Sequence, residues 1–154
     1  MPNEAKSQAL RWLSQRSLSV RELSLKLAGH GFDTESIQNL IEELRALGFL
    51  NDRRLAEEVV RRALAHHEGP LRVRQRLMAR ALERDVISDA MASLQETADW
   101  QTIAERLGQR YDRDNPRDRA RLMRRLAREG FPTPVIRRLV DKEGRDDVSG
   151  ADDY

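Results

Sequence analysis

The chain has 154 residues, of which 39% are hydrophobic, 35% are charged and only 5% are aromatic, and its formal net charge is +2. This composition is too apolar for a disordered chain and too polar for one thick globule, so it favours an array of thin helical units. The absence of cysteine excludes disulfides and thiolate metal sites and fits a reducing cytoplasm. No run approaches about 18 apolar residues, and the N-terminus has no apolar signal region, so we expect a cytoplasmic protein without a membrane span.

Residues 17–50 predict two helices joined by a tight turn. Ser19 and Glu22 have the S-x-x-E spacing of a capping box, which predicts the start of a helix. Gly31 lies in the turn, where glycine can adopt the left-handed conformation at low cost. Thr34 is then expected to cap the following helix, whose apolar residues recur at helical spacing.

Helical periodicity continues along the chain and predicts nine helices in all, whereas no alternating β-branched run predicts a strand. The sixth helix is expected to be shorter than the fifth, and the acidic tail at residues 144–154 is expected to be disordered. The remaining expected boundaries are Asn3 to Arg16 for the first helix, Gly48 as the end of the third, Asn51 or Asp52 to His67 for the fourth, Pro70 as the start of the fifth, Asp85 as the start of the sixth, Thr97 or Asp99 as the cap of the seventh, Asn115 and Pro116 as the start of the eighth, and Thr133 and Pro134 to Glu143 for the ninth.

The helix–turn–helix unit is repeated near the C-terminus at an offset of 99 residues. Eight of the nineteen positions from Leu23 to Ile41 are identical to their counterparts, where average composition predicts about one. A weaker copy lies at an offset near 50, and a period of this size is typical of repeat proteins, whose units stack against their neighbours. The predicted fold is all-α, with three tandem three-helix repeats at residues 1–50, 51–96 and 97–143 forming an elongated, curved array.

Signatures of enzymes and metal sites are missing from the sequence. It contains no P-loop, no dinucleotide-binding glycine pattern and no nucleophile elbow. The three histidines are His30, His66 and His67; their spacing fits no zinc site, and their positions near helix ends suit the helix dipole. We therefore predict a protein that is not an enzyme and that holds no metal and no cofactor.

Arginine is concentrated in two segments of the chain. Residues 61–84 carry seven Arg against two Glu, and residues 104–138 carry eleven Arg against five acids. Positions 72, 76 and 80 share one helix face, which predicts a row of guanidinium groups suited to phosphates or to an acidic protein groove. The alternative interpretation is that these arginines only occupy solvent-exposed helix faces and bind no partner. The residues that we predict to bind a partner protein or DNA are Arg72, Arg74, Arg76, Arg80, Arg117, Arg121, Arg124 and Arg125.

Several short segments occur in a fixed order, namely Ala9-Leu10, Arg16-Ser17, Ser19-x-x-Glu22-Leu23-x-x-Lys26-Leu27, Gly48 to Asp52 with Leu55-Ala56, Gly69 to Leu77, and Gly130-Phe131 followed by Ile136. Together they resemble the bacterial RecX family of regulatory proteins, which modulate the RecA recombinase. The run from Gly69 to Leu77 is the most specific and looks like the family's G-P-x-R-I-x-x-E-L segment. Arg76 stands where that segment has an acid, and Ala81-Leu82 replaces the family's Gly-Ile corner. These departures predict a second helix pair that is longer than the family's or differently angled.

The resemblance implies a nine-helix fold of three tandem three-helix repeats. It also implies binding to RecA and to its filament on single-stranded DNA, with inhibition of filament extension, ATP hydrolysis and strand exchange. Such a protein restrains recombination, DNA repair and the SOS response without catalysis of its own. We also expect a monomer with weak, non-specific DNA binding at most.

The alternative function is that of a helix-turn-helix regulator that reads a DNA operator. Two helices joined by a glycine-containing turn suit that activity, which normally requires a symmetric dimer on a defined site. However, Phe32 and Phe131 are better explained as core residues at the two corners than as contacts to bases. The ordered segments also favour the RecA modulator, because an operator-binding protein has no need of them.

Overall fold

A computed structural model describes residues 2–141 of the chain. Within these residues it contains nine α-helices and no strand, as the sequence predicts, although the expected acidic tail at residues 144–154 lies outside the described range. The helices are α1 Pro2–Gln15, α2 Val20–Gly29, α3 Thr34–Ala46, α4 Asp52–Ala65, α5 Pro70–Ala79, α6 Arg84–Thr97, α7 Trp100–Gly108, α8 Pro116–Arg128 and α9 Thr133–Val140.

Side-chain caps fix several helix starts. The predicted capping box of α2 is confirmed, since the Ser19 hydroxyl accepts from the Glu22 backbone N–H and the Glu22 carboxylate accepts from the Ser19 N–H. The predicted cap of α3 is wrong: Asp33 is the N-cap, and Thr34 is the first helical residue. Asp33 accepts from both the N–H and the hydroxyl of Ser36, so its carboxylate satisfies an N-terminal donor that Thr34 is one position too late to reach.

Other boundaries differ modestly from the sequence-based ones. Helix α6 has 14 residues and is longer than α5, not shorter, because it begins at Arg84 and continues past Leu94 to Thr97. Helix α4 ends at Ala65, ahead of the expected end at His67, which adopts a left-handed φ of 57°. Helix α9 ends at Val140, ahead of the expected end at Glu143, and that residue is outside the described range.

The corner of the middle repeat keeps the backbone geometry of the other two. Gly31 and Gly130 have φ values of 87° and 86°, and Ala81, at the equivalent position, has a φ of 54°. Helix α5 also has the same length as α2, 10 residues each, so the departure from glycine at this corner does not lengthen the helix before it.

The chain divides into two compact units, each with its own buried core. The N-terminal unit consists of residues 2–60 together with Arg76–Ala90, and the C-terminal unit consists of Arg61–Gln75 together with residues 91–141. In the N-terminal unit α1, α2 and α3 pack against one another, and in the C-terminal unit α7, α8 and α9 do so. The fully buried residues at these two centres are Ala9, Leu23, Leu27 and Leu44 in the first, and Ala104, Leu122 and Leu126 in the second.

Two glycines bring two turns of the C-terminal unit into backbone contact. The Gly69 N–H, before α5, donates to the Glu129 carbonyl at 2.7 Å, and the Leu71 N–H donates to the Gly130 carbonyl at 3.1 Å. A Cβ added to Gly69 would lie 2.5 Å from the Gly130 oxygen, and one added to Gly130 would lie 2.7 Å from the Cβ of Arg72. The contact therefore requires glycine on both sides.

Candidate functional site

The outward face of α8 is a stripe of arginines. Leu122 and Leu126 are fully buried, and positions 117, 121, 124 and 128 lie on the opposite side of the helix at i, i+4, i+7 and i+11 spacing. All four arginines are exposed, and over eleven residues the stripe is about 16 Å long. We name it the α8 stripe; it consists of Arg117, Arg121, Arg124 and Arg128.

The α8 stripe overlaps with the residues predicted from the sequence but is not identical to them. Arg125 lies to the side of the stripe, is less exposed, and pairs with Glu129 at 3.4 Å between Nε and Oε1. Arg121 makes a longer contact of 3.5 Å with Asp118. Arg128 was not among the predicted binding residues, although its i, i+4 spacing from Arg124 places it on the same face.

The row predicted at positions 72, 76 and 80 is shortened, because α5 ends at Ala79 and only Arg72 and Arg76 keep their i, i+4 spacing on the helix. Val73 and Leu77 are fully buried, while Arg74 and Arg76 are exposed on different sides of the helix. Arg72 is partly exposed, and its Nε lies 3.8 Å from the carboxylate of Glu68, a residue that is only 3% exposed. Arg72 thus neutralises a buried acid of the same unit, a role that its position in the sequence does not indicate.

Arg80 lies beyond the end of α5, and its guanidinium binds groups of the N-terminal unit. Its Nη2 donates to the Ser17 carbonyl at 2.6 Å and to the Glu22 carboxylate at 3.1 Å, and its Nε donates to the same carboxylate at 3.2 Å. Only 21% of the Arg80 side chain is exposed. We call this arrangement the Arg80–Glu22 clasp; it leaves few guanidinium donors for a partner.

The environment of Glu22 favours its ionised form. Burial of the carboxyl is the largest single effect and raises its pKa, but the opposing contributions together outweigh it and hold the pKa below 4.5. They are the hydrogen bond from Arg80, the Ser19 N–H, and the positive charges of Arg80 and Arg16. The capping box and the clasp therefore share one carboxylate.

His30 and the phenylalanines of the first and third corners have structural explanations. His30 makes an edge contact with the Trp12 ring at 4.9 Å between centroids, and its Nδ1 lies 2.9 Å from the Lys26 carbonyl. Phe131 is 2% exposed, and Phe32 packs on the core of the N-terminal unit, so both corner residues are core residues as predicted. Residues 2–141 contain no group of acids and histidines that could hold a metal ion.

The described residues also contain no helix that is long and apolar enough to cross a bilayer.

Comparison with known proteins identifies a family over most of the sequence. A family model described as "RecX, first three-helix domain" matches residues 5–44, and one described as "RecX, second three-helix domain" matches residues 51–91. A protein of Chromohalobacter salexigens named "Regulatory protein RecX" is 34% identical over 135 residues, which cover 86% of this chain and 88% of that protein. A protein of the same name from Leptothrix cholodnii is 34% identical over 143 residues, which cover 90% of each chain.

Solved structures share the fold at lower sequence identity. The crystal structure of RecX from Lactobacillus salivarius superposes with a TM-score of 0.74 at 23% identity, covering 94% of this chain and 96% of that one. A second crystal structure, of a regulatory protein RecX, has a TM-score of 0.71 at 22% identity and covers 92% of this chain and 72% of the other.

Proposed function

Because this chain belongs to the RecX family of regulatory proteins, we propose that it binds the RecA recombinase and the RecA filament on single-stranded DNA. There it inhibits filament extension, ATP hydrolysis and strand exchange, and so restrains recombination, DNA repair and the SOS response. The observation that carries this proposal is the family match, which extends over most of this chain and of its relatives. The protein does so in the cytoplasm, as a monomer, without a cofactor and without catalysis.

The distribution of charge supports this mode of action. A nucleoprotein filament offers both DNA phosphate and protein carboxylate, and guanidinium groups form forked hydrogen bonds with either. The α8 stripe and the exposed side chains of Arg74 and Arg76 provide such groups. We propose these residues as the contacts, and we leave Arg80 out because the clasp occupies its guanidinium.

The alternative operator-binding function has less support. Helix α3 is the second helix of the first corner and would be its DNA-reading helix. Its buried side consists of four aliphatic residues, and its exposed side carries Glu35, Glu42 and Glu43 against Arg45. An acidic surface of this kind repels the phosphates on either side of a major groove.

The test is the rate of ATP hydrolysis by RecA on single-stranded DNA with the protein added below stoichiometry. We expect the rate to fall well below that of RecA alone, because blocking a growing filament end excludes many RecA subunits from DNA. A rate that stays unchanged up to equimolar protein would overturn the proposal.

A variant separates the contact from the fold. Arg74→Glu changes an exposed side chain, whereas reversal of Arg72 would place a second carboxylate beside buried Glu68 and destabilise the unit. We expect the concentration of the Arg74→Glu variant that halves the rate of ATP hydrolysis to be several-fold higher than that of the unmodified protein. The matched control is Arg45→Glu, an equal charge change at an exposed position of α3, which should inhibit like the unmodified protein.

A further inference from the structure

A cavity of about 680 Å³ opens on the surface of the C-terminal unit. Its walls come from the end of α4, the end of α7 and one side of α8, and all of them belong to this one unit. The basic side chains that line it are His66, His67, Arg106, Arg110, Arg121 and Arg125.

The charge of this cavity is strongly positive. Four guanidinium groups face a single lining carboxylate, that of Asp118, so the lining carries a net charge of +3 with both histidines neutral. Arg121 contacts Asp118, and Arg125 contacts Glu129. Within residues 2–141, the side chains of Arg106 and Arg110 make no hydrogen bond or ion pair, so their guanidinium groups remain available to an anion. Positively charged side chains that line a concave site raise the local concentration of anions there.

The backbone that carries the two histidines is held in place from both sides. His67 adopts a left-handed φ of 57°, which is uncommon for a residue other than glycine, and its N–H donates to the Leu64 carbonyl. Two residues later Gly69 is bound to the Glu129 carbonyl at the end of α8. The basic wall from α4 is therefore fixed close to the basic wall from α8.

The remaining lining residues point to the kind of anion. Tyr111 and Leu107 supply an apolar part of the wall, and both also pack on the core of the unit, so they are fixed in position. A rigid aromatic or aliphatic surface next to guanidinium groups suits a base that lies beside its own phosphate. Arg121 belongs both to the cavity and to the α8 stripe, so a polymeric anion with one unit in the cavity can extend along the stripe. This continuity favours a polymer over a free nucleotide.

We propose that the cavity of the C-terminal unit binds one nucleotide of a single-stranded nucleic acid, with its phosphate at Arg106 and Arg110 and its base against Tyr111. The neighbouring phosphates of the strand lie on the α8 stripe. This assignment goes beyond the proposed function, and it rests on that function only for the choice of single-stranded DNA as the strand.

The first experiment measures binding of a labelled oligonucleotide, dT20, by fluorescence anisotropy without RecA. Arg106→Gln combined with Arg110→Gln should weaken binding at least about tenfold, because hydrogen bonds to charged groups are among the stronger ones in proteins. The matched control is Arg137→Gln with Arg138→Gln, which removes the same charge from exposed positions of α9 in the same unit. Equal weakening by both pairs would overturn the proposal. RecA is absent, so the ATPase result can stand or fall separately.

A second experiment locates the base and does not depend on the folding of a variant. An oligonucleotide with 5-iodouracil at one position is cross-linked by light to the unmodified protein, and the modified peptide is identified by mass spectrometry. Cross-linking at Tyr111 supports the proposal, and cross-linking confined to Trp12 of the N-terminal unit would overturn it.

The third experiment separates the strand from a free nucleotide. ATP is used as a competitor against labelled dT20, with unlabelled dT20 in parallel. We expect ATP to compete only at concentrations at least about a hundredfold higher, since it cannot reach the α8 stripe. Competition by ATP as strong as that of the unlabelled strand would make the cavity a site for free nucleotides and would overturn the assignment to a polymer.

Discussion

Gly31 and Gly130 show how one residue type meets two different demands at equivalent corners. Both lie after a helix with nearly the same left-handed φ, 87° and 86°. A Cβ on Gly31 would find no atom within 4 Å, whereas a Cβ on Gly130 would meet the backbone nitrogen and the Cβ of Arg72. The first glycine is thus required only by its φ, and the second also by the close approach of another turn.

This difference predicts unequal costs for the same substitution. Gly31→Ala should lower the free energy of unfolding by about 1 kcal/mol, the usual cost of a left-handed residue with a Cβ. Gly130→Ala should cost about 1–3 kcal/mol more, because the added methyl group overlaps a backbone that cannot move aside easily. Urea denaturation of both variants measures the two values. Equal losses would show that the Gly130 turn can shift away from Arg72.

At the scale of the helices, the sequence predicts most of what local chemistry decides. The capping box of α2 and the start of α8 at Asn115 and Pro116 follow from side chains that bond to nearby backbone, and the structure confirms both. Of the two caps predicted for α7, Thr97 and Asp99, the structure has Asp99. Local chemistry also explains the error at Asp33, since Asp and Thr are both good caps and adjacent in the chain.

The sequence pattern does not predict contacts between segments that are distant in the chain. Arg80 continues the spacing of Arg72 and Arg76, so the sequence pattern predicts that it lies in an outward row. In the structure α5 ends before Arg80, and the side chain binds a carboxylate 58 positions earlier. A helical pattern predicts on which face of the helix a residue lies. It does not predict which acidic side chain from elsewhere in the chain will lie next to that residue.

The Arg80–Glu22 clasp should make part of the stability depend on pH. The folded state lowers the pKa of Glu22 below 4.5, so the stability that its carboxylate contributes is present above pH 4.5 and is lost as the pH falls through the folded-state pKa. We expect Glu22→Gln to cost about 1–2 kcal/mol at pH 6 and much less at pH 3. Thermal unfolding across this range, compared with the unmodified protein, gives the difference.

Comparison at each pH removes the contributions of other acids. The pKa values of Asp33 and Asp99 are also lowered, by hydrogen bonds from Ser36 and Thr102, but both acids are present in either protein. In an Arg80→Gln background the effect of Glu22→Gln should be smaller and less dependent on pH. A difference that stays constant from pH 6 to pH 3 would contradict the role assigned to the clasp.

For the whole molecule, the internal repeat and the family resemblance predicted the all-α class and the nine helices of the described residues. The candidate site was predicted only in part. Exposed arginines of α8 can be found from their spacing, but the cavity unites α4, α7 and α8, and Arg106 and Arg110 gave no signal by themselves. Such a site depends on the contact between the Gly69 and Gly130 turns, which no periodicity encodes.

Net charge is a poor guide to where the proposed DNA contacts of this protein lie. The formal charge of the chain is only +2, yet its first 60 residues hold eight basic and nine acidic side chains, and residues 104–138 hold eleven Arg against five acids. If the position of the charges matters more than their total, two variants of equal net charge must differ in DNA affinity. Exposed arginines in each of the two units allow two such variants to be made, one per unit.

Arg117→Gln with Arg124→Gln removes two charges from the α8 stripe without touching the cavity lining, and Arg21→Gln with Arg45→Gln removes two exposed charges from the N-terminal unit. Each pair lowers the formal net charge from +2 to 0. The slope of log K against log salt concentration is negative, and each phosphate contact contributes about −0.7 to it for single strands. The α8 pair removes two contacts, so its slope should be less steep by about 1.4. The N-terminal pair should keep the original slope. Titrations of dT20 at several salt concentrations measure both, and equal slopes would mean that total charge alone governs binding.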